Sequence, residues 1–181
     1  MNPLEPETNS TEGGYHFKNR LNYTEYRNDS LRTGYIQSKQ NAEEYHYFLL
    51  AESRSEHNAT DPLIVWLQGD CSALRAFFLE NGPHLFEFEP LGSPAFNITR
   101  NNYSWNSNAS VLYLDFPMGN GFSTQPRNYT YRFEDRQLEM DFYTFMIGFM
   151  SVFPEFRGRD LFIFGEGLAG HLVPVLAHII I

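Results

Sequence analysis

Apolar positions follow two different periods along this chain. Leu63-Ile64-Val65-Trp66-Leu67 is an unbroken apolar run between Asp61-Pro62 and Gly69. That is the pattern of a strand covered on both faces, as in a parallel sheet. Residues 111–114 and 161–164 read the same way, and 35–37 and 45–50, rich in aromatic and apolar residues, read as further strands. The helical period appears between these runs. Leu138, Phe142, Phe145, Phe149 and Val152 stand at spacings of 4, 3, 4 and 3, one apolar face of a helix predicted over 133–153 and ended by Pro154. A shorter helix over 73–81 stops at Asn81-Gly82-Pro83. Residues 1–30 are polar without a clear period and read as a loop-rich N-terminal segment. Residues 90–110 read as an irregular exposed connection. Strands alternating with helices predict an α/β fold occupying 31–181.

Composition narrows the function classes. The chain has 181 residues, 42% of them hydrophobic and 17% aromatic, enough for a packed core. Its 22 acidic against 13 basic residues give a net charge of -9, which argues against nucleic-acid backbones and anionic membranes as partners. No apolar stretch reaches the ~20 residues a membrane span requires. Cys71 is the one cysteine, so neither an internal disulfide framework nor a cysteine-based zinc site is expected, and no cofactor is predicted. No signal peptide is visible in the opening residues. Yet Asn9, Asn22, Asn28, Asn58, Asn97, Asn102, Asn108 and Asn128 each begin an Asn-x-Ser/Thr acceptor motif, where chance would give about two. The excess predicts a glycosylated protein of the secretory route, secreted or vacuole-like.

The segment 161–177 carries the most chemistry. Gly165, Gly167 and Gly170 match G-x-G-x-x-G directly after a strand, the arrangement that holds a dinucleotide pyrophosphate at a helix start. The acidic residue that would follow about 20 positions later falls beyond Ile181. The same residues also suit a nucleophile elbow, a sharp strand-to-helix turn flanked by small residues. Gly165 and Ala169 supply the flanks. Gly167 stands at the centre, where glycine adopts the strained dihedrals without cost but offers no attacking atom.

Further motifs favour the elbow. Trp66-Leu67-Gln68-Gly69-Asp70-Cys71-Ser72, Glu80-Asn81-Gly82-Pro83, Asn102-Tyr103-Ser104-Trp105-Asn106, Leu114-Asp115-Phe116-Pro117-Met118-Gly119-Asn120-Gly121-Phe122-Ser123, Phe153-Pro154-Glu155-Phe156 and Gly165-Glu166-Gly167-Leu168-Ala169-Gly170-His171 follow one another in order. This series resembles the N-terminal part of the serine carboxypeptidases, α/β-hydrolases that release C-terminal residues from peptides through a serine. The resemblance implies a mixed, mostly parallel sheet lacking the fold's C-terminal strands. It places the family's serine at Gly167 and its oxyanion-binding positions at Gly69 and Leu168. It assigns binding of the substrate's terminal carboxylate to Gln68, Glu80 and Glu166, of which the two glutamates keep the family's residue type. The oxyanion loop is two residues shorter than the family's, and His171 matches a histidine that is not catalytic there. The family's Asp and His, and the partner of Cys71, would lie beyond residue 181. The resemblance therefore implies a truncated, inactive scaffold, with a peptide C-terminus as its ligand and a disulfide or strand partner outside the chain. It also implies that 161–164 becomes an open apolar sheet edge. A binding module for peptide carboxylates is the alternative.

Overall fold

The computed structural model describes residues 8–12, 15–26, 28–38, 43–69, 71–88, 96–126 and 134–180. Among these residues nine strands and three α-helices follow in chain order: β1 (Thr8–Glu12), β2 (Tyr15–Tyr26), β3 (Asp29–Gln37), β4 (Tyr45–Ala51), β5 (Leu63–Gln68), α1 (Leu74–Leu79), β6 (His84–Phe88), β7 (Phe96–Arg100), β8 (Ser110–Leu114), α2 (Asp135–Val152), β9 (Leu161–Glu166) and α3 (Ala169–His178). Seven strands form one sheet in the order β1-β2-β3-β4-β8-β5-β9. Pairing is antiparallel from β1 through β8 and parallel across β8, β5 and β9. The expected mixed sheet is thus present, with a larger antiparallel share than expected. β6 and β7 make a separate hairpin.

Period-two alternation sends successive side chains of the central strands to opposite faces, and both faces are covered. Leu63, Val65, Leu67, Leu112, Leu114, Phe48 and Leu50 pack with Leu138, Phe142, Phe145 and Phe149 of α2 and with Ala169, Leu172 and Leu176 of α3. Trp66, Val111, Tyr113, Leu49 and Ala51 face the other way, against Ala73, Ala76 and Phe77 at α1. The result is three layers, helix–sheet–helix. Phe48 holds α2 edge-on, its ring 6.3, 5.7 and 5.9 Å from those of Phe145, Phe149 and Phe153. Such aromatic pairs add roughly 0.5–1.5 kcal/mol each beyond area burial. The helix expected over 133–153 runs from Asp135 to Val152 with the predicted residues inward; position 133 lies outside the described residues.

Three expectations are corrected. Within 1–30, residues 8–12 and 15–26 are strands rather than loop: β1 and β2 pair antiparallel, and β2 continues onto β3 from Asn19↔Ile36 to Tyr26↔Asp29. The stretch 90–110 contains β7 and a 3₁₀ turn at Trp105–Ser107, and Asn101, Ser104 and Asn106 within it are buried. Residues 161–164, read from their apolar run as covered on both faces, form a strand that pairs only with β5 among the described residues. Phe162 and Phe164 there are 48% and 41% exposed, the open apolar edge that the family resemblance implies.

Candidate active site

β5 and β9 run parallel and end side by side, with Gln68 opposite Glu166. The chain turns sharply after β9 and enters α3 at Ala169. Gly167 sits in the turn at φ +63, a left-handed conformation, and a Cβ built there would meet nothing within 4 Å. Gly165 is glycine for a different reason: its Cβ would lie 2.6 Å from that of Ala169 and 3.1 Å from Val173 Cγ2. Close strand–helix packing thus fixes Gly165, and backbone direction favours glycine at Gly167. At Gly170 a Cβ would also meet nothing within 4 Å. The elbow thus accounts for Gly165 and Gly167, and nothing in the structure requires glycine at 170.

At the start of α3 the Gly170 and His171 amides donate to Gly167 O and Leu168 O, both at 3.0 Å. Gly69 is packed directly over the turn that precedes them. A Cβ on Gly69 would come within 2.3 Å of the backbone nitrogens of both Leu168 and Ala169. The Gly69 amide donates to Glu166 O at 3.1 Å, closing the loop onto the turn. Beside it a polar chain runs along the strand ends. Trp66 Nε1 donates to Gln68 Oε1 at 3.3 Å, and Gln68 Nε2 donates to Glu166 Oε2 at 3.1 Å. Gln68 is buried and Glu166 half-buried. Trp105 packs edge-on between Trp66 (5.0 Å) and Phe164 (5.1 Å), walling one side. The structure therefore brings Gln68, Gly69, Glu166, Gly167 and Leu168 together. Glu80 lies exposed at the end of α1, its carboxylate 3.4 Å from Arg75 Nε. His171 is on α3 with Nε2 3.3 Å from Asp135 Oδ1. Cys71 is half-buried, its Sγ 3.7 Å from Ser72 O.

One organising residue was not singled out from the sequence. Asp115, just beyond β8 and 1% exposed, gathers three segments. Its carboxylate accepts from Ser72 Oγ (2.8 and 3.0 Å), from the Ala73 amide (2.8 Å) and from the Phe122 amide (2.8 Å). Gly121, at φ +54, lets the chain pass over it, since a Cβ there would fall 2.1 Å from Asp115 Oδ2. Asn120 Nδ2 donates to Cys71 O at 2.9 Å. The loop after β5 is thereby clamped to the loop after β8. Burial pushes the Asp115 carboxyl above its ordinary range, and the three neutral donors only partly offset it. The Leu-Asp-x-Pro-x-Gly-x-Gly-Phe-Ser block was legible as a motif, but its partners lie some 40 residues away in sequence.

The acceptor asparagines also sort by position. Asn28, Asn58, Asn97, Asn102 and Asn108 are all exposed. By contrast Asn81, Asn101 and Asn106, which begin no acceptor motif, are buried and hydrogen-bonded. The side chains of Asn9 and Asn22, and Asn128, lie outside the described residues. Among the described residues no helix is long and apolar enough to cross a membrane, and no cluster of His, Cys, Asp and Glu could hold a metal ion.

Comparison with known proteins places this geometry. The chain is similar to serine carboxypeptidase-like 36 of Arabidopsis thaliana, 38% identical over 150 residues, 82% of this chain and 30% of that protein. It is also similar to serine carboxypeptidase S10 family member 1 of Dictyostelium discoideum, 35% identical over 150 residues, 82% of this chain and 34% of that protein. The chain thus spans about a third of the length of these curated relatives. The crystal structure of KEX1ΔP, a prohormone-processing carboxypeptidase from Saccharomyces cerevisiae, superposes with a TM-score of 0.71 at 23% identity over 83% of this chain and 33% of that one. The shared fold is that of an α/β-hydrolase. Residues 22–181 match the family model described as serine carboxypeptidase. The chain belongs to the serine carboxypeptidase family.

Proposed function

We propose that this chain keeps the serine carboxypeptidase scaffold but does not perform the family's acyl transfer at residue 167. The observation that carries the proposal is Gly167 itself, held at φ +63 in an intact elbow with no side chain to attack a peptide carbonyl. The packing of Gly69 against the amides of Leu168 and Ala169 supports it, because an oxyanion needs that space. The test is direct. The purified chain should take up no fluorophosphonate probe and release no amino acid from peptide C-termini above a blank. Gly167→Ser alone should not restore labelling, since a serine needs both a base and an open oxyanion site. Peptide-end release well above background by the chain as it stands overturns the proposal.

One contact favours a second role. Gln68 and Glu166 remain hydrogen-bonded at the strand ends, and Glu80 keeps the residue type that the family uses for the substrate's carboxylate. An amide and glutamates can take a peptide carboxylate when at least one glutamate carries a proton, so this binding is favoured in acid. Titration at pH 5 with paired peptides tests it: the free-carboxylate form binds and the C-terminal amide does not. Equal or absent binding of the two removes the role.

We infer a secretory route, supported by the excess of acceptor motifs and by the exposure of every acceptor asparagine whose side chain is described. Attachment joins the Asn Nδ2 to the anomeric carbon of the sugar, with loss of one amide proton and departure of the lipid pyrophosphate donor. Secreted material should shift on a gel when its glycans are removed; an unchanged position refutes the assignment.

A further inference from the structure

A cavity of about 210 Å³ opens at the end of the sheet remote from the elbow. It lies where β5, β8 and β9 begin, and Asn58 forms part of its rim. Asn58 is not at a loose loop tip. The amides of Thr60 and Asp61 donate to His57 O at 2.8 and 3.0 Å, and Ser53 and Ser55 both donate to the Asp61 carboxylate. Arg159 Nη1 donates to Asn58 O at 2.7 Å and to Asp61 O at 3.2 Å. The side chain therefore leaves from a fixed point.

The lining suits a neutral, amphipathic ring. Two guanidiniums, Arg32 and Arg159, stand with two carboxylates, Glu52 and Glu155, so the charges balance and neither an anion nor a cation is favoured. Arg32 bridges both carboxylates, 2.5 Å from Glu52 and 2.9 Å from Glu155, which fixes the donors and acceptors in place. Ala59 supplies apolar contact, while Phe156, 2% exposed and capped by the Arg159 guanidinium 4.3 Å above its ring, underlies the wall. Drug-sized ligands occupy roughly 300–1,000 Å³, so this space admits something nearer one monosaccharide. A ligand tethered at the rim has a high effective concentration and needs only weak contacts to stay.

We propose that this cavity seats the first N-acetylglucosamine of a glycan carried by Asn58. The proposal rests on the secretory reading above. The sugar's hydroxyls and acetamido group meet Glu52, Glu155 and Arg159, and its apolar face meets Ala59. The glycan stem then ties the loop before β5 to the Pro154–Phe156 turn and Arg159.

The experiment uses the chain and its Asn58→Gln variant, both from a secretory eukaryotic host. Both are trimmed with an endoglycosidase that leaves a single N-acetylglucosamine on each occupied asparagine. Glycopeptide mass analysis reads occupancy, and amide hydrogen exchange is followed over 154–159. With the stub present on Asn58, exchange there should be slower than in Asn58→Gln by roughly threefold or more. Removing Asn97 or Asn108 as acceptors should leave that segment unchanged. An occupied Asn58 with exchange equal in the two proteins overturns the seating while the secretory reading stands. An empty Asn58 beside occupied Asn97, Asn102 or Asn108 overturns it as well. A protein bare at every site refutes the secretory reading and the seating with it.

Discussion

Asp29 and Asp115 are both buried carboxylates at strand ends, and the fold satisfies them in opposite ways. Asp29, 1% exposed at the start of β3, faces a cation: Arg54 Nε and Nη2 donate to it at 2.5 and 2.8 Å, Asn106 Nδ2 donates at 3.2 Å, and His84 Nε2 lies 3.4 Å away. Arg54 reaches on to the carbonyls of Asn101 (2.9 Å) and Pro83 (2.8 Å), so one ion pair ties β3 to the segments on either side of the β6–β7 hairpin. Asp115 has only neutral donors. Burial pushes both carboxyls up, but around Asp29 the hydrogen bonds from Arg54 and Asn106 and the adjacent positive charge outweigh it and hold the group below its ordinary range. Charge at the elbow end of the sheet is tolerated through amides, and at the hairpin end through a guanidinium.

This difference can be broken in graded steps. Arg54→Met strands a buried charge and should cost roughly 3–5 kcal/mol of unfolding free energy in a urea titration. Asp115→Ala leaves the Ala73 and Phe122 amides and the Ser72 hydroxyl without their acceptor, an expected loss of about 2–3 kcal/mol. A loss at Asp115 as large as that at Arg54 would erase the distinction between the two sites.

Acid separates the two sites by sign. Asp29 has a folded pKa below its unfolded value, so its contribution is present above the ordinary Asp range and is lost as pH falls through the folded pKa. Asp115 has a raised folded pKa, so the folded state binds the proton first and is favoured as pH falls toward the ordinary Asp value. Measured against Asp29→Asn, the unmutated chain should lose its advantage on acidification. Against Asp115→Asn it should gain. Parallel slopes for the two variants would contradict the assignment.

The smallest effect isolates the backbone. Gly167→Ala places a methyl in open space at positive φ and should cost about 1 kcal/mol, a left-handed backbone penalty alone. Gly121→Ala has a similar φ but meets the Asp115 carboxylate, so its loss should be clearly greater in the same titration.

Local signals made much of this fold readable. The unbroken apolar runs of β5 and β8 are buried on both faces because helices cover both, and the 4-3-4-3 spacing of α2 is its inward stripe. Apolar content cannot tell a central strand from an edge strand, which is why β9 reads as covered when Phe162 and Phe164 are exposed. β2 was missed because its polar residues mask the alternation of Tyr15 and Phe17. The usable signal was Asn28, whose φ of 67 marks the turn into β3, since asparagine tolerates that conformation better than most residues. The elbow was legible because its residues are adjacent in sequence. The Asp29–Arg54 and Asp115–Ser72 links join residues 25 and 43 positions apart, and no periodicity reports such partners.

The open turn at residue 167 has a practical consequence. Because nothing crowds a side chain there, Gly167→Cys in a Cys71→Ala background offers a single attachment point for an environment-sensitive dye. The dye would sit next to Gln68 and Glu166 without displacing either. The peptide binding proposed above would then be read as a change in the dye's emission.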